Sequence, residues 1–207
     1  MLVSGQGTNL EALLRAARDP EYPARVAVVV GNRRYAPALE LAQTWEVPPF
    51  AMPAGDYGGD TRARDAAMLG VLRAASVELV VCAGYDRILS DEFLAAYPDA
   101  ILNVHPSLLP AFAGGMHAVE AALEYGVHLT GCTVQILEPG AVDGGPVVMQ
   151  AAVEVRPDDD AETLRQRIHE REWQLLPEAV ALWSTHRLRR EGRRIHVVAD
   201  HAGASHH

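Results

Sequence analysis

Only two cysteines stand in the 207 residues, Cys82 and Cys132, each inside an apolar run (VVCAG and TGCTV). So few excludes a disulfide framework or a cysteine metal knuckle and suits buried, reduced thiols in the cytoplasm. Long apolar runs are missing as well. No stretch approaches the roughly 20 residues of a membrane span, and no basic segment followed by an apolar one opens the chain; no membrane partner is expected. Positive charge is scarce, with 18 Lys and Arg against 27 Asp and Glu, a net charge of -9 and a pI near 5.4. A surface that neutralises a phosphate backbone needs clustered cations, so no nucleic-acid partner is expected. Nine histidines are present, yet neither HExxH nor CxxC occurs, and no metal is expected.

What is present is an ordinary globular composition, 49% hydrophobic and 22% charged, long enough to bury one full core. The expectation is a single domain over residues 1–200, divided near residue 100, with a polar tail at 201–207. Short aliphatic runs alternate with segments of helical period, the pattern of an α/β fold. The runs predict about seven strands, at Met1–Ser4, Val26–Gly31, Pro49–Met52, Leu79–Cys82, Ile101–Val104, Thr130–Leu137 and Pro146–Val155. The last two are joined by a loop too short for a crossover helix and should pair antiparallel. Helices are predicted over Asn9–Arg18, Ala36–Trp45, Thr61–Ala75, Met116–Tyr125 and Ala161–Ser184, the last kinked or divided by Pro177.

Three segments carry chemistry. Ser4-Gly5-Gln6-Gly7-Thr8-Asn9-Leu10 lies between a strand and an amphipathic helix. It reads either as a cradle for an anion, built on glycine backbone and the helix N-terminus, or as a tight turn capped by Thr8 or Asn9. Leu10 takes the place of the third glycine of a dinucleotide fingerprint, which favours a mononucleotide-sized phosphate over NAD. In Leu102-Asn103-Val104-His105-Pro106, strand alternation puts Asn103 and His105 on one face. An amide donor beside an imidazole suits acyl transfer, although both residue types also close strands by binding backbone. Val142-Asp143-Gly144-Gly145-Pro146 is a turn in which glycines let an acid face a cleft.

The segments SGQGTNL, AGYDRILS, LNVHPSLLP and VDGGPV follow in the order and spacing of the phosphoribosylglycinamide formyltransferases that use 10-formyltetrahydrofolate, and the chain resembles that family over nearly its whole length. The resemblance implies the formyltransferase fold, with a Rossmann-like first half that binds phosphate and a second half that carries catalysis and folate. It implies transfer of a formyl group from 10-formyltetrahydrofolate to glycinamide ribonucleotide in purine synthesis, with no metal and no covalent enzyme intermediate. By the same resemblance Asn103, His105 and Asp143 are catalytic, and Gly7, Thr8, Asn9 and Glu172 hold the ribonucleotide. The folate site falls on Arg62, Asp86, Arg87, Ile88, Leu89 and Val142, with Asn103 and Asp143 shared. A monomer and a homodimer are both compatible with it. The chain departs from the pattern in a short opening strand, which suggests an upstream start, and in the loop AFAGGM at Ala111–Met116, one residue longer than usual. Methionyl-tRNA formyltransferases and formyltetrahydrofolate hydrolases share the Asn and His logic. The first needs an added domain and a basic surface, the second an N-terminal regulatory domain.

Overall fold

The computed structural model describes residues 1 to 199; the expected tail at 201–207 lies outside the described residues. The chain runs β1 (Leu2–Val3), α1 (Thr8–Ala16), β2 (Val29–Gly31), α2 (Pro37–Thr44), β3 (Pro49–Ala51), α3 (Thr61–Ala74) and β4 (Val80–Ala83). It continues α4 (Asp91–Ala96), β5 (Ile101–His105), α5 (Ala118–Tyr125), β6 (Leu129–Ile136), β7 (Val147–Glu154), α6 (Ala161–Ser184), β8 (Leu188–Glu191) and β9 (Arg194–Val197). All strands join one sheet in the order β3-β2-β1-β4-β5-β6-β7-β9-β8. The first five are mutually parallel; β6 pairs antiparallel with β7, as the short connecting loop requires, and also with β5.

Period-two alternation divides the strands between two cores. Val29, Val81 and Leu102 pack on one face with Leu10, Leu13 and Leu14 of α1 and with Leu164, Ile168 and Leu176 of α6. Their chain neighbours Val28, Val30, Val80, Cys82 and Ile101 pack on the other, against Met68 and Leu72 of α3 and Phe93 of α4. Both faces being covered explains why these strands read as continuous apolar runs. Both cysteines are buried and free, and burial pushes each thiol up to about 12.

The described residues hold nine strands where about seven were expected. The added pair is an arginine-rich hairpin, β8 and β9, turned at Gly192 with φ +60° and attached to β7 through Val147 opposite Arg194. Among its described residues, Leu188 and Ile195 pack partly buried against the core, too few to form a hydrophobic stripe. The six-residue α4 was also missed; Ser90 caps it, accepting from the Phe93 N–H at 3.3 Å. The β2 ladder is shorter than predicted, covering Val29–Gly31, and just before it the Val28 carbonyl accepts from the Met1 amine at 2.7 Å. Pro177 does not divide α6. It removes one backbone donor, but the buried residues Leu175, Leu176, Ala179 and Val180 hold both sides to the sheet, and its own carbonyl accepts from the Tyr22 hydroxyl at 2.7 Å.

A buried ion pair anchors α3 to the segment after β4. Arg64, 2% exposed, donates through Nε and Nη2 to Asp65 Oδ1 at 3.0 and 2.7 Å and through Nη2 to the Ile88 carbonyl at 3.3 Å. Asp65 Oδ2 accepts from the Ser90 N–H at 2.7 Å. Removing the cation strands a buried carboxylate. Arg64→Leu is therefore expected to lose roughly 3 to 5 kcal/mol in urea unfolding, whereas Arg62→Leu, at an exposed pair with Glu92, should change stability by less than about 0.5 kcal/mol.

Candidate active site

Strand order reverses between β1 and β4, so the loops leaving their carboxyl ends diverge and open a crevice. The crevice is a cavity of about 1000 Å³ walled by residues 5–9, 82–89, 103–106, 114–116 and 140–143 and by one face of α6 that includes His169 and Glu172.

At one end stands the start of α1. Gly7 occupies the cap position with φ +83°, and a Cβ there would meet Ala38 Cβ at 2.7 Å, so only glycine fits. Among the described residues no side chain caps the helix, contrary to the turn reading with Thr8 or Asn9 as cap, and its first amides are open to an acceptor from the cavity. Asn9 is buried and turns sideways. Its Nδ2 donates to Glu172 Oε2 at 2.8 Å, while its Oδ1 is buried with no partner among the described residues. Burial raises the Glu172 carboxyl from 4.5 to about 7, against the opposing pull of the Asn9 bond.

At the other end β5 delivers Asn103 and His105 to the cavity on one face, as alternation predicted. His105 Nδ1 lies 3.6 Å from Asp143 Oδ2, and its Nε2 lies 3.2 Å from the Phe112 carbonyl. Both ring nitrogens thus face oxygens that only accept. Asp143 sits in the left-handed region at φ +48° and accepts from the Gly114 N–H at 2.8 Å and from Gln135 Nε2 at 3.0 Å. The AFAGGM loop is therefore tied to His105 through Phe112 and to Asp143 through Gly114. The segment just before it is held from below. Thr133 Oγ1 donates to the Ser107 carbonyl at 2.7 Å and accepts from the Leu109 N–H at 3.0 Å, and Gln150 Nε2 donates to the Leu109 carbonyl at 3.0 Å. Thr133, Gln135 and Gln150 escaped the sequence reading; the only signal was polar residues inside apolar strands.

The wall between the ends is the segment after β4. Leu89 is buried, Ile88 is 73% exposed at the mouth, and Val142 faces it from the opposite loop at 64%. Arg87 stands half exposed beside them, its Nε 3.7 Å from Asp86 Oδ1. Asp86, expected to meet folate, has its carboxylate engaged within the protein: Ser4 Oγ donates at 3.0 Å and Asn32 Nδ2 at 2.5 Å, and Arg33 pairs with Oδ2. Burial alone would raise its carboxyl, but donation from Asn32 and Ser4 and the charge of Arg33 outweigh that and hold it below the usual range. Arg62, also expected at folate, is absent from the cavity wall, since the first turn of α3 aims it at solvent and Glu92. The basic residue that the sheet brings to this wall from α3 is Arg64, which supports it from behind.

A doubly wound sheet whose switch-point cavity joins the uncapped start of a helix to an amide, an imidazole and a carboxylate fits an α/β transferase. The chain belongs to the Formyl transferase family, whose sequence pattern matches residues 1–180. It is 44% identical over 193 residues to the phosphoribosylglycinamide formyltransferase of Mycobacterium tuberculosis (strain H37Rv), covering 93% of this chain and 87% of that protein. It is 41% identical over 182 residues to the trifunctional purine biosynthetic protein adenosine-3 of Gallus gallus, which spans 88% of this chain but only 18% of the relative. Its fold superposes with a TM-score of 0.92 on glycinamide ribonucleotide transformylase 1 from Symbiobacterium toebii, at 44% identity over 96% of this chain and 92% of the other. Among the described residues no group of His, Cys, Asp and Glu could hold a metal ion, and no helix is long and apolar enough to cross a membrane.

Glu172 makes stability depend on pH. Its folded value lies above the unfolded one, so the protonated folded form carries the advantage; that advantage is complete below about pH 4.5 and is lost as pH rises through about 7. Replacing it with a neutral isostere removes the penalty. Glu172→Gln should be more stable than wild type by ~3 kcal/mol at pH 8, and thermal melts should show the gap closing toward pH 4.

Proposed function

We propose that this chain transfers the formyl group of 10-formyltetrahydrofolate to the primary amine of glycinamide ribonucleotide, giving the N-formyl product and tetrahydrofolate in purine synthesis. The observation that carries the reading is that one cavity joins the uncapped start of α1 to Asn103, His105 and Asp143. The chain would act as one unit, residues 1–100 supplying the phosphate cradle and residues 101–200 the reacting groups.

Backbone N–H groups of Gly7, Thr8 and Asn9 would hold the ribose phosphate, where the helix dipole adds to direct hydrogen bonding. The buried, partnerless Asn9 Oδ1 and the Glu172 carboxyl would take hydroxyl donors of the same substrate. Ile88, Leu89 and Val142 would enclose the flat apolar part of the formyl donor, and Arg87 would stand at its anionic end. With both ends held, the amine reaches the formyl carbon as in an intramolecular reaction.

The amine nitrogen forms a bond to the formyl carbon, and the carbonyl electrons move to oxygen. Asn103 Nδ2 and a ring N–H of His105 would donate to that oxyanion, while Asp143 holds the imidazole ring. The carbon to N10 bond then breaks as the carbonyl reforms, and the proton lost by the amine ends on N10. Asp143, directly or through a water, is placed to pass it. Atoms and charge balance without a redox step. The buried thiols suit the reducing cytoplasm as its setting, as a monomer or a homodimer.

An absorbance assay with a 10-formylated folate, with and without glycinamide ribonucleotide, tests the reading on wild type and His105→Ala. Wild-type deformylation should depend on the acceptor, and His105→Ala should lower kcat by about 10²- to 10⁴-fold. Turnover indifferent to the acceptor would mark a hydrolase, and its absence a binding protein.

A further inference from the structure

Gln135 is fully buried near the end of β6, between the apolar residues Val134 and Ile136. A polar side chain there costs stability unless both ends find partners. Both do. Nε2 donates to Asp143 Oδ1 at 3.0 Å, and Oε1 accepts from the Gly145 N–H at 3.2 Å. Because a carboxylate only accepts and a backbone N–H only donates, the two partners fix which way the amide points. The strand register sets Gln135 directly opposite Asn103, so the two side chains share one face of the sheet.

Gln135 brackets the turn that carries Asp143. Gly145 lies so close to β6 that a Cβ on it would come within 1.8 Å of the Ile136 carbonyl oxygen, and Asp143 adopts a left-handed conformation that non-glycine residues seldom hold unaided. The other bond to the carboxylate comes from Gly114, an exposed loop residue, and His105 stands off at 3.6 Å. Gln135 does not itself reach the cavity wall. We infer that Gln135 is a positioning residue for transfer, which sets the Asp143 carboxylate against His105 from beneath the site. The inference rests on the proposed role of Asp143.

The test compares kcat and both KM values for Gln135→Leu, Gln135→Glu, Gln135→His and Asp143→Asn, with thermal melts to show that each variant is folded. Losing a hydrogen bond to a charged group predicts that Gln135→Leu lowers kcat by about 10- to 100-fold while KM for donor and acceptor stays within about threefold. Gln135→Glu keeps the acceptor for Gly145 but sets a second carboxyl against Asp143, and should lose at least as much. Gln135→His, with a ring N–H at similar reach, should recover kcat to within about fivefold of wild type. In an Asp143→Asn background, adding Gln135→Leu should cost less than about threefold, because the two act through one another. Effects that multiply in the double variant, a change confined to KM, or no recovery by histidine would overturn the inference; should the leucine variant not fold, the glutamate and histidine variants decide. An inactive Asp143→Asn beside a fully active Gln135→Leu sinks this inference alone. Wild-type kcat in Asp143→Asn sinks the carboxylate's role and the inference with it.

Discussion

Parallel strands cannot be joined by a tight turn, so each of the first connections must climb over the sheet before the next strand begins. In this chain the crossovers lead outward from β1 to β2 and β3 on one side, and through β4 to β5 on the other. The loops at the carboxyl ends of β1 and β4 therefore part, and no neighbouring loop fills the space between them. Everything of chemical interest stands around that gap. The start of α1 follows β1, the segment from Asp86 to Leu89 follows β4, and Asn103 and His105 end the adjacent β5. The antiparallel pair β6 and β7 completes the arrangement, because the loop between them returns Asp143 to the same rim.

Two carboxylates on this rim illustrate how environment, rather than residue type, decides charge. Asp86 receives a hydroxyl, an amide and a guanidinium, and is held ionised well into acid. Glu172, buried with a single amide donor, is raised to the neighbourhood of neutral pH. The first is a structural tie among the ends of β1, β2 and β4. The second is tied to the start of α1 through Asn9. Polar groups under the site obey the same accounting, since Thr133, Gln135 and Gln150 are each spent on orienting a loop.

Much of this was legible in the residues. The apolar strand runs marked the parallel sheet, the antiparallel return followed from a short loop, and alternation along β5 put Asn103 and His105 together. Legibility failed where a local pattern was weak or where the answer lay in another element. The hairpin β8 and β9 has almost no buried stripe, and α4 is too short to show a helical period. Arg62 and Arg64 are two residues apart on one helix turn, and nothing in their immediate neighbours says which of them points at solvent and which into the protein.

By itself the sequence determined the fold class and the family and singled out the candidate residues Asn103, His105 and Asp143, because those depend on local periodicity and on motifs whose spacing is written along the chain. The tertiary structure decided which polar groups already have partners. It engages Asp86 with Ser4, Asn32 and Arg33, sends Arg62 to solvent, buries Arg64 behind the cavity wall and sets Gln135 beneath Asp143. Those assignments rest on contacts such as Gln135 with Asp143, 8 positions apart, Arg64 with Ile88, 24 apart, and Ser4 with Asp86, 82 apart, which are made only when strands pair and loops converge, and no local pattern encodes them.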